Sequence, residues 1–221
     1  MKPGELVKQE WPTILLVLFP IPILLLTWSS IPEIIPTHYN AHGQIDGYGH
    51  KGFAMAILPV VNLLISLLLY AIPKIDPKKQ LSASTPGYKG LRILLSLVFF
   101  VIFVITILAA TGKPIDVSRA LMVVLMLLFI GIGYFMPRLP SNYFAGIRLP
   151  WTLEDPENWR KTHIIGGKVA MIGGCIGLVL VLLVPPVYGF VVVITSAISL
   201  GLIPAIYSFT MYRKSQQDTK S

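Results

Sequence analysis

Charge is what this chain has least of. Only 13% of its 221 residues are Asp, Glu, Lys or Arg, where a soluble domain carries about 25%. Acidic residues are scarcer still, 10 against 18 Lys and Arg. Cysteine is almost absent. The single Cys175 lies in an apolar run, which excludes an intrachain disulfide and a Cys-x-x-Cys redox or metal motif and leaves a small buried hydrophobe. There is no His-Glu-x-x-His, no Gly-x-Ser-x-Gly and no Walker A sequence, so no standard hydrolase or nucleotide-binding signature is present. Basic residues are scattered through short connections rather than grouped on one domain, which argues against direct nucleic-acid binding.

What is present is length of apolar sequence. A membrane span needs about 20 mostly apolar residues. Six stretches qualify: 11–30, 53–73, 91–111, 117–136, 164–184 and 187–212. The fold class is therefore an all-α integral membrane protein with six transmembrane helices. Trp11 and Trp28 stand about 26 Å apart along a helix, a spacing that suits two interfacial anchors. Pro20 and Pro22 between them predict a kink. No Ala-x-Ala-like site follows this first run, which is expected to stay as a span. Pro185-Pro186 predicts a tight turn between the last two spans, and Pro204 interrupts the sixth.

Of the 18 basic residues, only Lys51, Lys113 and Arg119 fall on one side of this six-span layout. The others lie on the side of the termini. Both termini are thus expected to be cytoplasmic. The chain divides into 1–73, two spans with an outer polar loop; 74–90, a cytoplasmic linker; and 91–221, a four-span module.

Two connections are long and polar. The outer one, 31–52, contains "IPTHYNAHGQIDGYGHK". Its prolines favour extended backbone, and Gly43, Gly47 and Gly49 permit turns, so an ordered folded loop is expected rather than a helix. His38, His42, Asp46 and His50 are candidate metal ligands by residue type, and the histidines titrate near neutral pH. A plain hydrogen-bonded cap explains the same residues.

The inner connection, 137–163, contains "EDPEN". There Asp155 is expected to cap a helix, Pro156 to occupy its first position and Glu157 to favour its N-terminus. Trp159 and His163 share one face of that helix, and Glu157 and Lys161 another. Trp151 and Trp159 are expected at the headgroups. Arg148, between Gly146 and Pro150, is a rigid donor fork; its candidate partners are Glu154, Asp155, Glu157, a lipid phosphate or a cytoplasmic protein. Gly173 and Gly177 form a Gly-x-x-x-Gly pair, with Gly166, Gly167 and Gly174 nearby, so close helix packing is expected there.

With "LPSNYFAGIRLPWTLEDPENWRKTH" and the glycine-rich span after it, the chain resembles the SdpI family of bacterial membrane proteins. Pro140, Asn142, Gly146, Ile147, Arg148, Pro150, Trp151, Thr152, Leu153, Trp159, Thr162, His163 and Gly167 carry the likeness. The outer stretch resembles a domain of uncharacterised function that precedes this module, through Ile35, Pro36, His38, Asn40, Gly43, Asp46, Gly47 and Lys51. His42 and His50 fall outside that pattern, which weakens a metal site that needs them.

The resemblance implies a multi-pass protein of the bacterial plasma membrane. It implies immunity to a secreted antimicrobial peptide toxin and recruitment of a cytoplasmic repressor. The partners are then the lipid bilayer, the toxin and the repressor. The outer binding residues are His38, Asn40, Asp46 and Lys51. The inner ones are Asn142, Gly146, Arg148, Trp151, Thr152, Trp159 and His163. No cofactor is expected. The alternatives are a metal-dependent enzyme with an outward His/Asp site, for which no catalytic residue is identified, and a small-solute transporter. Against transport, the mid-span polar residues reduce to Asn62, Ser66, Ser96, Thr106, Thr195, Ser196 and Ser199, which suit helix–helix hydrogen bonds.

Overall fold

A computed structural model describes residues 3–218; Lys2, Lys220 and Ser221 lie outside the described residues. The elements in order are α1 (Pro3–Leu18), α2 (Pro20–Thr27), β1 (Ile34–Tyr39), β2 (Ile45–His50), α3 (Lys51–Ile75), α4 (Pro86–Ala110), α5 (Val117–Phe135), α6 (Pro150–Glu154), α7 (Pro156–Leu183) and α8 (Pro186–Asp218). Among the described residues, six helical stretches are long and apolar enough to cross a membrane: Val7–Ser30, Lys51–Ile75, Pro86–Ala110, Val117–Arg138, Pro156–Leu183 and Pro186–Asp218. The chain is a six-helix membrane protein.

Helix ends follow local chemistry. The Asp116 carboxylate accepts from Arg119 N at 3.0 Å and starts α5. Asp155 accepts from Glu157 N at 2.8 Å and starts α7, with Pro156 at the first position, as expected. The first span is interrupted at Phe19, just before Pro20, where the backbone stays helical (φ −62°, ψ −25°) and Phe19 N still donates to Leu15 O at 2.9 Å, so α1 and α2 meet at the expected kink. Pro204 does not end α8: it is buried inside a continuous helix.

Leucines such as Leu25, Leu26 and Leu183 face outward, while Asn62, Asn158, Thr162 and Ser208 are buried. In lipid this distribution is the stable one, because interhelical hydrogen bonds and close packing hold helices that hydrophobicity alone does not drive together. Asn62 on α3 shows how. It donates to Ser96 O on α4 at 3.3 Å and accepts from Ser96 Oγ at 3.0 Å.

The α5–α7 seam is built from small residues. A Cβ at Gly133 would stand 2.6 Å from Gly167 O, and one at Gly167 would stand 2.8 Å from Gly133 O. Gly174 meets the backbone of Met126 at 3.0 Å. Gly173 has nothing within 4 Å of its Cβ position, so the seam runs through Gly167, Ala170, Gly174 and Gly177 rather than through the Gly173–Gly177 pair.

The outer stretch is ordered and not helical, as expected, and its form is an antiparallel β-hairpin. Its glycines are needed less for turns than for the pairing. A Cβ on Gly47 would stand 2.8 Å from His38 Cβ across the ladder, and one on Gly49 would stand 3.0 Å from Thr37 Cγ2. Only Gly43, at the tip, has positive φ (80°). Ile35 is fully buried among Ile31, Met55, Phe103 and Ile107, which pins the hairpin onto α3 and α4. The tip lies close to Ser118 of α5 and Pro186 of α8.

At the other end, residues 86–90 of the expected linker already belong to α4. The preceding segment is tied to the 139–155 loop. Asp76 Oδ1 accepts from Tyr143 N at 3.2 Å, and Lys78 Nζ donates to Ser141 Oγ at 2.6 Å and to Leu153 O.

Candidate functional site

The polar residues gather at the two ends of the bundle. At the hairpin end, Asn40 builds the turn. Its Oδ1 accepts from His42 N at 2.9 Å and Gln44 N at 3.0 Å. His38 Nδ1 and Asp46 Oδ1 are 2.5 Å apart on the exposed face. Lys51 is buried. Its Nζ donates to Ile31 O at 3.2 Å, pairs with Glu33 Oε1 at 2.9 Å and lies 4.9 Å from the centre of the Trp28 ring. Glu33 also takes His50 Nε2 at 3.2 Å on its other oxygen. The Lys51 hydrogen bond, chiefly, holds the Glu33 carboxyl below its ordinary pKa. Glu33 is therefore the clasp at the hairpin base, and the sequence reading missed it. His38 and Asp46 lie side by side, while Asn40 serves the turn and Lys51 the base. Among the described residues, no three His, Cys, Asp or Glu side chains converge, so His38, His42, Asp46 and His50 do not form one cluster.

Beneath the hairpin runs a cleft of about 490 Å³, lined by Tyr39, Tyr48, Phe53, Ile57, Ile102 and Leu121 among others. It borders a second opening of about 530 Å³ that carries His42, Gln44, Lys113 and Asp116. Both include Pro36, Tyr39, Ala109 and Val117. An apolar floor thus meets a polar rim.

At the opposite end the 139–155 loop is a closed hydrogen-bonded unit. Asn142 is fully buried and uses its whole amide. Nδ2 donates to Pro140 O at 2.9 Å and Ala145 O at 3.0 Å, and Oδ1 accepts from Phe144 N and Ala145 N at 2.8 and 2.7 Å. Thr152, also fully buried, accepts from Leu149 N at 2.9 Å and faces Ile147 O at 3.0 Å and Leu149 O at 2.8 Å. His163 reaches the loop from α7. Its Nε2 accepts from Ile147 N at 3.1 Å, so the proton is on Nδ1, which donates to Trp159 O at 2.7 Å. Gly146 has φ +108°, and a Cβ there would overlap His163 Nε2. The glycine is what lets the loop lie against the imidazole.

Trp159 is not a headgroup anchor. It is 3% exposed, stacks on His163 at 4.0 Å and donates from Nε1 to Leu139 O at 2.9 Å. Trp151 stacks on Tyr212 at 5.5 Å and donates to Ser208 Oγ at 2.7 Å. Ser208 then donates to Asn158 Oδ1 at 2.8 Å, and Thr162 donates to the same oxygen at 3.0 Å. Arg148 points outward and donates to Tyr143 O at 2.8 Å. Its partner is thus a carbonyl of its own loop. Glu157 pairs instead with Arg160 at 2.8 Å and Lys161 at 3.3 Å. The inner set therefore converges, except that Arg148 stands on the surface. Asp76, Lys78, Asn158 and Ser208 belong to the same unit and were not singled out from sequence. Asp76, Lys78 and Ser208 sit in a linker and a span whose local pattern announces nothing, and Asn158 lies in the "EDPEN" stretch, which signals only a helix start.

Residues 138–208 match the SdpI/YfhL protein family, and residues 15–63 match a domain of unknown function, DUF1648. The chain is 23% identical over 159 residues to the immunity protein SdpI of Bacillus subtilis (strain 168), an alignment covering 69% of this chain and 71% of that protein. No solved structure matches it.

Proposed function

Because the chain belongs to the SdpI family of membrane proteins, we propose that it is an immunity and signalling protein of the bacterial plasma membrane. Its outer face meets a secreted antimicrobial peptide, and its inner face recruits a cytoplasmic repressor. The observation that carries this reading is the cleft under the hairpin. Its apolar floor of Tyr39, Tyr48 and Phe53 beside a rim with Lys113 and Asp116 suits an amphipathic peptide, not a small ion. The inner role is supported by exposed Arg148 and Arg160 beside a loop too rigid to need ordering on binding.

The test is expression in a strain sensitive to the peptide toxin of a related system. Protection by the wild type, lost on Tyr39→Ala with Phe53→Ala at unchanged membrane abundance, supports the reading. Unchanged killing by every candidate peptide counts against it.

A further inference from the structure

The hairpin end of the bundle carries three acidic side chains, Glu33, Asp46 and Asp116, and three basic ones, Lys51, Lys113 and Arg119, among the described residues. Every acid there is already engaged. Glu33 is held by Lys51 at 2.9 Å, and Asp46 lies 2.5 Å from His38. Asp116 caps α5 and pairs with Arg119 at 3.3 Å, while Arg119 also donates to Leu182 O at 2.9 Å. Inside the bundle the rule is the same, with Arg92 of α4 on Glu10 of α1 at 2.6 Å. Lys113 is the exception. It is exposed, and among the described residues no carboxylate, carbonyl or aromatic ring takes its ammonium.

Its charge is free, but its root is fixed. Lys113 N donates to Leu108 O at 3.0 Å, Lys113 O accepts from Ile115 N at 2.8 Å, and Pro114 follows. This short turn between α4 and α5 sets the residue in the wall of the opening of about 530 Å³ under the hairpin tip. His42 lines the same opening, and its ring also lacks a partner among the described residues. Asp116 lines it too, with its charge already balanced by Arg119. The rim therefore has an unclaimed positive charge. It is continuous with the apolar cleft through Pro36, Tyr39, Ala109 and Val117. A lysine on open surface is simply solvated; this one stands where an apolar cleft ends.

We infer that Lys113 reads a carboxylate on the ligand of this cleft. The peptide whose apolar side chains enter beside Tyr39, Tyr48 and Phe53 carries next to them a C-terminal carboxylate, or that of an Asp or Glu, which pairs with the Lys113 ammonium and accepts from the His42 ring. The inference rests on the reading of the cleft as a peptide site and adds the charge of the peptide. Complementarity selects the anion, because no acid of the protein is left to meet this cation. Depth selects a peptide over a lipid. Along α4 the cleft runs from Ala109 to Ile102, about 10 Å, against about 15 Å for the hydrocarbon of one leaflet. That depth suits a few side chains under the hairpin better than an acyl chain.

The experiment is fluorescence anisotropy of three probes on the full chain in phosphatidylcholine nanodiscs, with protein-free nanodiscs subtracted. The probes are the peptide Phe-Leu-Phe-Leu with a neutral N-terminal fluorophore and a free carboxylate, the same peptide as its C-terminal amide, and an amide that carries one added Asp. A carboxylate probe is expected to bind about threefold to tenfold more tightly than the plain amide, and the tighter of the two tells which carboxylate is read. Lys113→Gln removes this gain, Lys113→Arg keeps it, and raised salt shrinks it. Tyr39→Ala with Phe53→Ala weakens all three probes. Plain amide binding that depends on Tyr39 and Phe53, with no gain from a carboxylate, overturns this inference and leaves the cleft reading standing. A gain that survives Lys113→Gln overturns it as well, as does native mass spectrometry in which wild type, but not Lys113→Gln, retains phosphatidylglycerol while no carboxylate gain is seen. Binding of no probe, or binding indifferent to Tyr39→Ala with Phe53→Ala, overturns both.

Discussion

Replacing Gly146 by alanine tests the loop unit at its tightest point. The new methyl group meets two independent obstacles. The backbone sits at φ +108°, where an L-residue carries strain of about 1–3 kcal/mol. The methyl also overlaps His163 Nε2, which is itself held between Ile147 N and Trp159 O. The loop has to move off the imidazole, leaving a buried N–H and a buried ring nitrogen unpaired at about 1–3 kcal/mol. Together the expected loss is about 2–6 kcal/mol, a large share of the roughly 5–15 kcal/mol that holds a typical protein folded. Unfolding in mixed micelles, followed by tryptophan fluorescence, reads it, because Trp159 is buried against the same imidazole. The decisive step is a double-mutant cycle. In a His163→Ala background the overlap is gone and only backbone strain remains, so Gly146→Ala costs about 1–3 kcal/mol less there. A Gly146→Ala cost under about 0.5 kcal/mol refutes the argument, as does a cost that is the same in both backgrounds.

Glu10→Gln leaves Arg92 as an unpaired buried charge and should destabilise by about 3–5 kcal/mol, while Glu10→Gln with Arg92→Met recovers most of it; an equally unstable double variant contradicts the pairing. Glu33 has a lowered pKa, so its contribution is present above the ordinary value of 4.5 and is lost as pH falls through the lower folded value. The hairpin base should resist acid to below that value in wild type, and Glu33→Gln should remove this acid transition in hydrogen exchange of residues 45–51. A cysteine at Gln44 is expected to react with a membrane-impermeant maleimide in intact cells and one at Gln217 is not; the reverse pattern overturns the orientation drawn from the basic residues.

The spans were legible because each is a long apolar run and nothing else in a chain of this size is. The start of α7 was legible because Asp155, Pro156 and Glu157 follow the rules of helix ends. The hairpin was not. Pro36, Gly47 and Gly49 argue against a strand, and the reason for the two glycines, room for His38 and Thr37 across the ladder, exists only once the strands are paired. Trp159 was placed at the headgroups because tryptophan favours that interface; its burial follows from the loop folding back over α7, a tertiary event. Of the partners open to Arg148, the carboxylate of Glu157 is one turn from Arg160 and Lys161 and is taken by them. The seam residue Gly174 differs from Gly173 only by the direction in which α5 lies. Glu10 and Arg92 are 82 residues apart, and no local pattern joins them.

Helix α3 has a clasp at each end. Its first residue, Lys51, is held by Glu33 at the hairpin base, and just past its last turn Asp76 and Lys78 grip the 139–155 loop. Twenty-five residues of helix, about 37 Å long, therefore work as a push-rod between the two surfaces. A rod fixed at both ends cannot slide or rotate at one without loading the other, and Pro59 and Pro73, which lack the N–H to complete the ladder, are the weak points along it. Whatever prises Glu33 from Lys51 on one surface acts on the helix that leads, a few residues on, to Tyr143 on the other.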